Sequence, residues 1–181
     1  LVKEGKVRQS RIDDAVRKIL TAKYELNLFE KPVTHIKDYP KFGSKEFEKA
    51  AYDAAAESMT LLKNNNNTLP LSKTAKVLVT GPNANSMRTL NGAWTYSWQG
   101  EKVEEFAAKY NTIVEAIQNK VGAANVTYLP GVSYKMDGKY FEDFADKMDE
   151  TISAAKNADV ILLCLGENSY TETPGNLSDL Y

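Results

Sequence analysis

Apolar side chains along the chain recur with two periods. Ile12, Ala15, Val16, Ile19, Leu20 and Leu26 return at steps of three and four, the spacing that gathers side chains on one face of an α-helix. Ser10 and Asp13 resemble a capping box ahead of them, so the sequence predicts a first helix over about residues 10–26. Its stripe meets no covering element before residue 44 and is expected to pack on structure upstream. Residues 28–43 contain Pro32 and Pro40 and show no period, as a linker between domains should. Ser44 then has the form of an N-cap, and Phe47, Ala51, Ala54, Ala55, Ser58 and Leu62 form the stripe of a second helix that stops in the asparagine run 64–67.

Beyond residue 75 the period changes. Residues 76–80 form a β-rich run closed by Gly81-Pro82, residues 125–129 and 160–165 read as further strands, and residues 112–121 and 141–156 repeat the helical spacing. The second of these helices is expected from Phe141, Phe144, Ala145, Met148, Ile152 and Ala155. Alternation of strand and helix implies parallel βαβ units with right-handed crossovers, hence an α/β domain with helices on both faces. In such sheets ligands bind just past the carboxyl ends of the strands. The loops to watch are therefore those after Thr80 and Leu165.

Composition narrows the field of functions. Of 181 residues, 43% are hydrophobic and 26% charged, with a formal net charge of −1, enough apolar material for a core of one domain and part of another. The basic residues are dispersed, which argues against a nucleic-acid surface. No apolar run approaches the roughly 18 residues that a membrane-spanning helix needs. Cys164 is the single cysteine and lies in an apolar run, where a buried inert thiol is expected rather than a nucleophile. His35, the single histidine, falls in the linker and is expected to be an exposed bystander. No His, Cys or carboxylate cluster has metal-ligand spacing, so no cofactor is expected. Asn66, Asn125 and Asn176 begin glycosylation sequons, a pattern that also arises by chance. The chain opens at Leu1 without a methionine and is expected to be an internal piece of a longer protein.

The two loops carry polar and aromatic residues that a core does not require. In Asn91-Gly-Ala-Trp94-Thr-Tyr96-Ser-Trp98-Gln-Gly100, alternation would put Trp94, Tyr96 and Trp98 on one face of an extended segment. Aromatic faces stack on the C–H faces of sugar rings, and Asn and Gln offer donors and acceptors for hydroxyls. The competing reading is that a tryptophan merely covers the core. After the last strand, Gly166-Glu167-Asn-Ser-Tyr170-Thr-Glu172 releases two carboxylates into a loop.

The full set of phrases resembles the family-3 glycoside hydrolases, the β-glucosidase family. The resemblance is carried in order by Gly5-Lys-Val-Arg-Gln-Ser-Arg-Ile-Asp13 with Leu26-Asn-Leu-Phe29, by Ala55-Ala-Glu-Ser-Met-Thr-Leu61-Leu-Lys-Asn64 with Leu69-Pro-Leu71, by Gly81-Pro-Asn-Ala-Asn85, by Asn91-Gly-Ala-Trp94 with Trp98-Gln-Gly100, and by Gly166 to Glu172. It implies a retaining exo-glycosidase acting on β-linked glucosides or oligosaccharides. In that arrangement a (β/α)8 barrel supplies the aspartate nucleophile and an α/β sandwich domain lends residues to the rim of the pocket. Residues 1–27 would be the last helix of that barrel, 28–43 the linker, and 44–181 the first part of the sandwich domain, with mainly parallel strands. The missing barrel would be the partner of this chain, and without its nucleophile the fragment would be inactive.

The resemblance also implies roles. Glu172 is the expected acid/base, following the branch with a Gly-Glu-x-x-Tyr-Thr-Glu phrase, while Glu167 is either a brace or the acid/base as in branches with a shorter loop. Trp98 would stack on the leaving-group sugar, Trp94 would be a second aromatic wall, and Tyr170 would line the site between them. The family often has two glycines where this chain has Gly92-Ala93. Export to the periplasm or outside is implied, with any signal lying upstream. Two other classes remain open on residues alone: a non-catalytic carbohydrate-binding or domain-interaction module using the tryptophans, and a nucleotide-binding domain using Gly81-Pro-Asn-Ala-Asn85. The latter lacks the glycine spacing of a phosphate loop.

Overall fold

The structure is a computed structural model that describes residues 1–136 and 138–178. Contact density divides it into two compact units, Leu1–Asn64 and the chain from Asn65 onward.

In the first unit, α1 (Gln9–Glu25) forms on the expected stripe. Its start differs in detail: Arg8 is the N-cap without a side-chain bond, Ser10 lies inside the first turn, and Gln9 Nε2 donates to Asp13 Oδ1 at 2.9 Å in place of the expected box. The helix ends through Asn27 at φ 57°, with Leu28 N–H donating to Lys23 O at 3.0 Å and Asn27 N–H to Tyr24 O at 2.9 Å. This is the Schellman pattern, and asparagine tolerates the left-handed residue it requires. Ile12, Val16, Ile19 and Leu20 are exposed within this unit. A second helix, α2 (Lys45–Ser58), is capped as expected, Ser44 Oγ accepting from Phe47 N–H at 3.3 Å. It stops at Ser58, short of the asparagine run, and Met59 is already extended.

The second unit is α/β. Its sheet runs in the order β2-β1-β5, with β1 (Val77–Thr80) between β2 (Val126–Tyr128) and β5 (Val160–Leu163), all parallel. Val77 pairs with both Val126 and Val160, and Thr80 with Leu163. All four residues of β1 are buried, as a central parallel strand covered on both faces demands. Between β1 and β2 lie the short helices α3 (Met87–Asn91) and α4 (Val103–Ala107), then α5 (Ile113–Val121). A reciprocal capping box opens α5: Glu115 N–H donates to Thr112 Oγ1 at 3.3 Å, and Thr112 N–H to Glu115 Oε2 at 2.8 Å. Val114, Ile113, Ile117 and Val121 of α5 join Val77, Val79 and Cys164 in the core.

The expected helix over residues 141–156 is corrected. Its first part is a strand, β4 (Asp143–Asp146), paired antiparallel with β3 (Gly131–Tyr134), and only α6 (Met148–Ala155) is helical. The apolar spacing fits a helix, but β3 offers a full set of backbone partners, and Ser133 Oγ donates to Asp146 Oδ2 at 2.7 Å. Lys147 at φ 57° then turns the chain out of the strand into α6. Long-range pairing overrides local preference here.

Candidate active site

The site grows from the carboxyl ends of β1 and β5. Cys164 N–H donates to Thr80 O at 2.8 Å, closing the ladder, and the chain after Thr80 turns at Gly81 with φ 101°. A Cβ at Gly81 would collide with the Cys164 carbonyl, so the two strand ends approach only because this residue is glycine. Burial pushes the Cys164 thiol above its ordinary pKa, in keeping with an inert core side chain rather than a nucleophile.

Beyond β1 the aromatic segment does not run extended. Trp94 and Tyr96 both have positive φ, 58° and 61°, and Trp94 N–H donates to Trp98 O at 3.0 Å, so residues 94–98 close into a tight turn. The expected single aromatic face is therefore not formed. Tyr96 stacks on Phe106 with centroids 5.3 Å apart, while Trp94 and Trp98 stay 67% and 46% exposed. Glu101 organises the turn: its Oε2 accepts from Ser97 Oγ at 3.1 Å and Gln99 N–H at 3.0 Å. Hydrogen bonding, led by its own backbone N–H, holds the Glu101 carboxyl below its ordinary value against a smaller opposing effect of desolvation.

Beyond β5 the second loop is pinned residue by residue. Tyr134 of β3 places its hydroxyl 2.8 Å from Gly166 O and 2.9 Å from Asn83 Oδ1, and Asn83 Nδ2 donates to Glu167 O at 3.4 Å. The carboxylate of Glu167 turns back within the loop, its Oε2 accepting from Tyr170 Oη at 2.7 Å. That bond is the leading cause that raises the Tyr170 phenol pKa. Asn168 and Ser169 point inward, 5% and 6% exposed. Ser169 Oγ donates to Gln99 O at 2.7 Å, and Arg88 Nη2 donates to Ser169 O at 3.4 Å. Tyr170 lays its ring on Tyr140, centroids 4.1 Å apart, and against Gly175, where a Cβ would strike the ring.

Glu172 follows, exposed, at φ 56° and ψ −138°. For an L residue this is a sparsely populated conformation that persists only where the surroundings impose it, and such residues cluster at functional sites. The turn Thr173–Gly175 begins immediately afterwards, with Gly175 N–H donating to Glu172 O at 2.9 Å.

The five residues expected from sequence thus lie on two loops that touch. Gln99, next to Trp98, exchanges two hydrogen bonds with Thr171, next to Glu172, at 3.0 and 2.9 Å. Tyr170 and Glu167 pair with each other, whereas Glu172 stands outside that pair. Trp94, Trp98, Glu167 and Glu172 are exposed and Tyr170 is half-buried. An apolar cavity of about 460 Å³ nearby is lined by Thr80, Gly131, Met148, Leu163 and Leu165 and by none of the five. The sequence singled out none of Glu101, Tyr134 and Tyr140, offered Asn83 only as a member of a phrase, and pointed to Gln99 as a partner for hydroxyls rather than for Thr171. The hairpin residues gave no signal because β3 itself was not legible. Among the described residues no group of three or more His, Cys, Asp or Glu is placed to hold a metal ion, and no helix is long and apolar enough to cross a membrane.

A parallel sheet that presents an acidic loop and an aromatic loop at its carboxyl end defines a class of α/β site domain. Residues 59–179 match the family model described as the glycosyl hydrolase family 3 C-terminal domain. The chain belongs to glycosyl hydrolase family 3. It is 35% identical to a lysosomal beta glucosidase of Dictyostelium discoideum over 99% of this chain and 22% of that protein. It is 34% identical to a periplasmic beta-glucosidase of Salmonella typhimurium over 93% of this chain and 24% of that protein. The crystal structure of a beta-glucosidase from Listeria innocua in complex with glucose superposes with a TM-score of 0.71 at 27% identity, over 98% of this chain and 22% of that one. The chain therefore spans less than a quarter of the length of these relatives.

Proposed function

We propose that this chain is the part of a retaining, exo-acting β-glucoside hydrolase that supplies the general acid/base and an aromatic wall of the pocket. The observation that carries the reading is the exposed carboxylate of Glu172, held at a positive φ and tied through Thr171 and Gln99 to the loop bearing Trp98. Retaining hydrolysis needs one carboxylic acid to protonate the departing glycosidic oxygen and later, ionised, to deprotonate water. A second carboxylate attacks the sugar. Glu172 takes the first role and Trp98 the stacking role on the leaving-group sugar, with Trp94 beside it. Glu167 is the brace, since its carboxylate is already engaged by Tyr170.

The nucleophile comes from a barrel domain of the same polypeptide. Residues 1–27 form the last helix of that barrel, 28–43 the linker and 44–181 the start of the sandwich domain. The open apolar stripe of α1 supports this division, because Ile12, Val16, Ile19 and Leu20 lack cover within their own unit. Without the barrel the chain has no hydrolytic activity. Substrates are β-linked glucosides or oligosaccharides cleaved from the non-reducing end, a reading supported by the beta-glucosidase names of the relatives. The enzyme works in the periplasm or outside the cell, as the name of the periplasmic relative from Salmonella typhimurium supports.

In the two-domain enzyme, Glu172→Ala is expected to lower kcat/KM by about 10²–10⁴-fold for glucosides with poor leaving groups. Activated aryl glucosides should be nearly spared, and added azide should restore turnover with formation of a β-glucosyl azide. If Glu167→Ala shows this pattern and Glu172→Ala does not, the assignment of the two carboxylates is reversed.

A further inference from the structure

We infer that Gln99 is a positioning residue for the acid/base: its side-chain amide sets where Glu172 points and couples the aromatic wall to the proton-transfer group. The inference rests on Glu172 being the acid/base, and deepens that reading.

Glu172 does not hold itself in place. Its backbone occupies a conformation that L residues rarely adopt, and among the described residues its hydrogen bonding is limited to its carbonyl, which accepts from Gly175 N–H at 2.9 Å. On its N-terminal side the chain is held by the preceding residue. Both backbone groups of Thr171 are engaged by a single side chain: Gln99 Nε2 donates to Thr171 O at 3.0 Å, and Thr171 N–H donates to Gln99 Oε1 at 2.9 Å. A carboxamide presents a donor and an acceptor side by side in one plane without charge. The pair thus imitates one rung of a sheet and fixes the Thr171 peptides as a sheet would.

The backbone of Gln99 holds the other end of the same stretch, its carbonyl accepting from Ser169 Oγ at 2.7 Å. Gly100 makes the approach possible, since a Cβ there would run into Ser169 Oγ and the Gly92 carbonyl. Residue 99 therefore grips the loop at residues 169 and 171. Trp98 adjoins the grip on one side and Glu172 on the other. The Glu167–Tyr170 bond lies within the acid loop and gives no such link to the aromatic one.

The test compares Gln99→Ala and the length-conserving Gln99→Met in the two-domain enzyme, alone and combined with Glu172→Ala. The readouts are kcat/KM across aryl and alkyl β-glucosides of graded leaving-group ability, and the melting temperature. The expected result is a loss on the order of 10²-fold for poor leaving groups, the scale of a misplaced reacting group, with a dinitrophenyl glucoside nearly unaffected. The Tm of Gln99→Met should stay close to wild type, and neither Gln99 substitution should lower kcat/KM further in the Glu172→Ala background. A loss uniform across leaving groups, no loss at all, or full additivity with Glu172→Ala overturns the inference while leaving the acid/base reading intact. A Glu172→Ala enzyme whose loss is independent of leaving group overturns both. Should Gln99→Ala fail to fold, the Gln99→Met series decides.

Discussion

Glu101 is the carboxylate that folds the aromatic loop onto itself, accepting from Ser97 Oγ and the Gln99 N–H. Its folded pKa is depressed, led by the bond from its own backbone N–H. A depressed carboxyl contributes stability that is present above its unfolded pKa and is lost as pH falls through the folded one. The loop is therefore expected to loosen only on acidification below the ordinary glutamate range. With fluorotryptophan in the protein, ¹⁹F NMR should show the Trp98 resonance shifting there, and Glu101→Gln should abolish that acid transition while leaving the spectrum at neutral pH largely unchanged. A Trp98 shift that persists in Glu101→Gln would assign the transition to another group. At this scale the sequence disclosed residue types but not their bonds. Nothing in the order of residues says that Glu167 turns back to Tyr170 while Glu172 faces outward; that accompanies the burial of Asn168 and Ser169 between them.

Among the elements, those set by local chemistry were legible and those set by distant partners were not. The helical spacing over residues 112–121 becomes α5, and a Thr112–Glu115 box closes its start in the structure. Thr112→Ala is expected to cost about 1 kcal/mol of stability, within a range of roughly 0.5–2, read by chemical denaturation of the whole protein. Thr112→Ser should recover most of the loss, because the hydroxyl is what accepts from Glu115 N–H. The β3–β4 hairpin is the contrary case. Phe141, Phe144, Ala145 and Met148 carry a helical spacing, yet Asp143–Asp146 pairs with Gly131–Tyr134. That exchange matters to the site, since the hairpin delivers Tyr134 to Gly166 and Tyr140 to Tyr170.

Across the second unit as a whole, the buried strand β1 ties the two loops to one frame. Leu78, 1% exposed, is among the most completely buried side chains. Leu78→Ala should destabilise by about 2–5 kcal/mol through lost transfer energy and the cavity left behind. Denaturant titration measures this as a fall in midpoint. A cost well under 1 kcal/mol would mean that this face of the sheet collapses around the gap. The clasp between the two loops is expected to survive the substitution at temperatures where the fold does, because its hydrogen bonds run between loops rather than through Leu78.

The sequence by itself determined the α/β class, the central parallel strands and the two loops on which the candidate site residues fall. Period and turn residues are local properties, and Gly81 and Gly166 mark where the strands end. It also supplied the family, through phrases in a fixed order. Only the tertiary structure decided that the two loops are clasped through Gln99 and Thr171, that Trp94 and Tyr96 turn instead of extending, and that Glu167 is engaged while Glu172 is presented. Each of these depends on a hydrogen bond or backbone angle imposed by a partner remote in the chain, and such partners meet only once the sheet has brought β1 and β5 side by side.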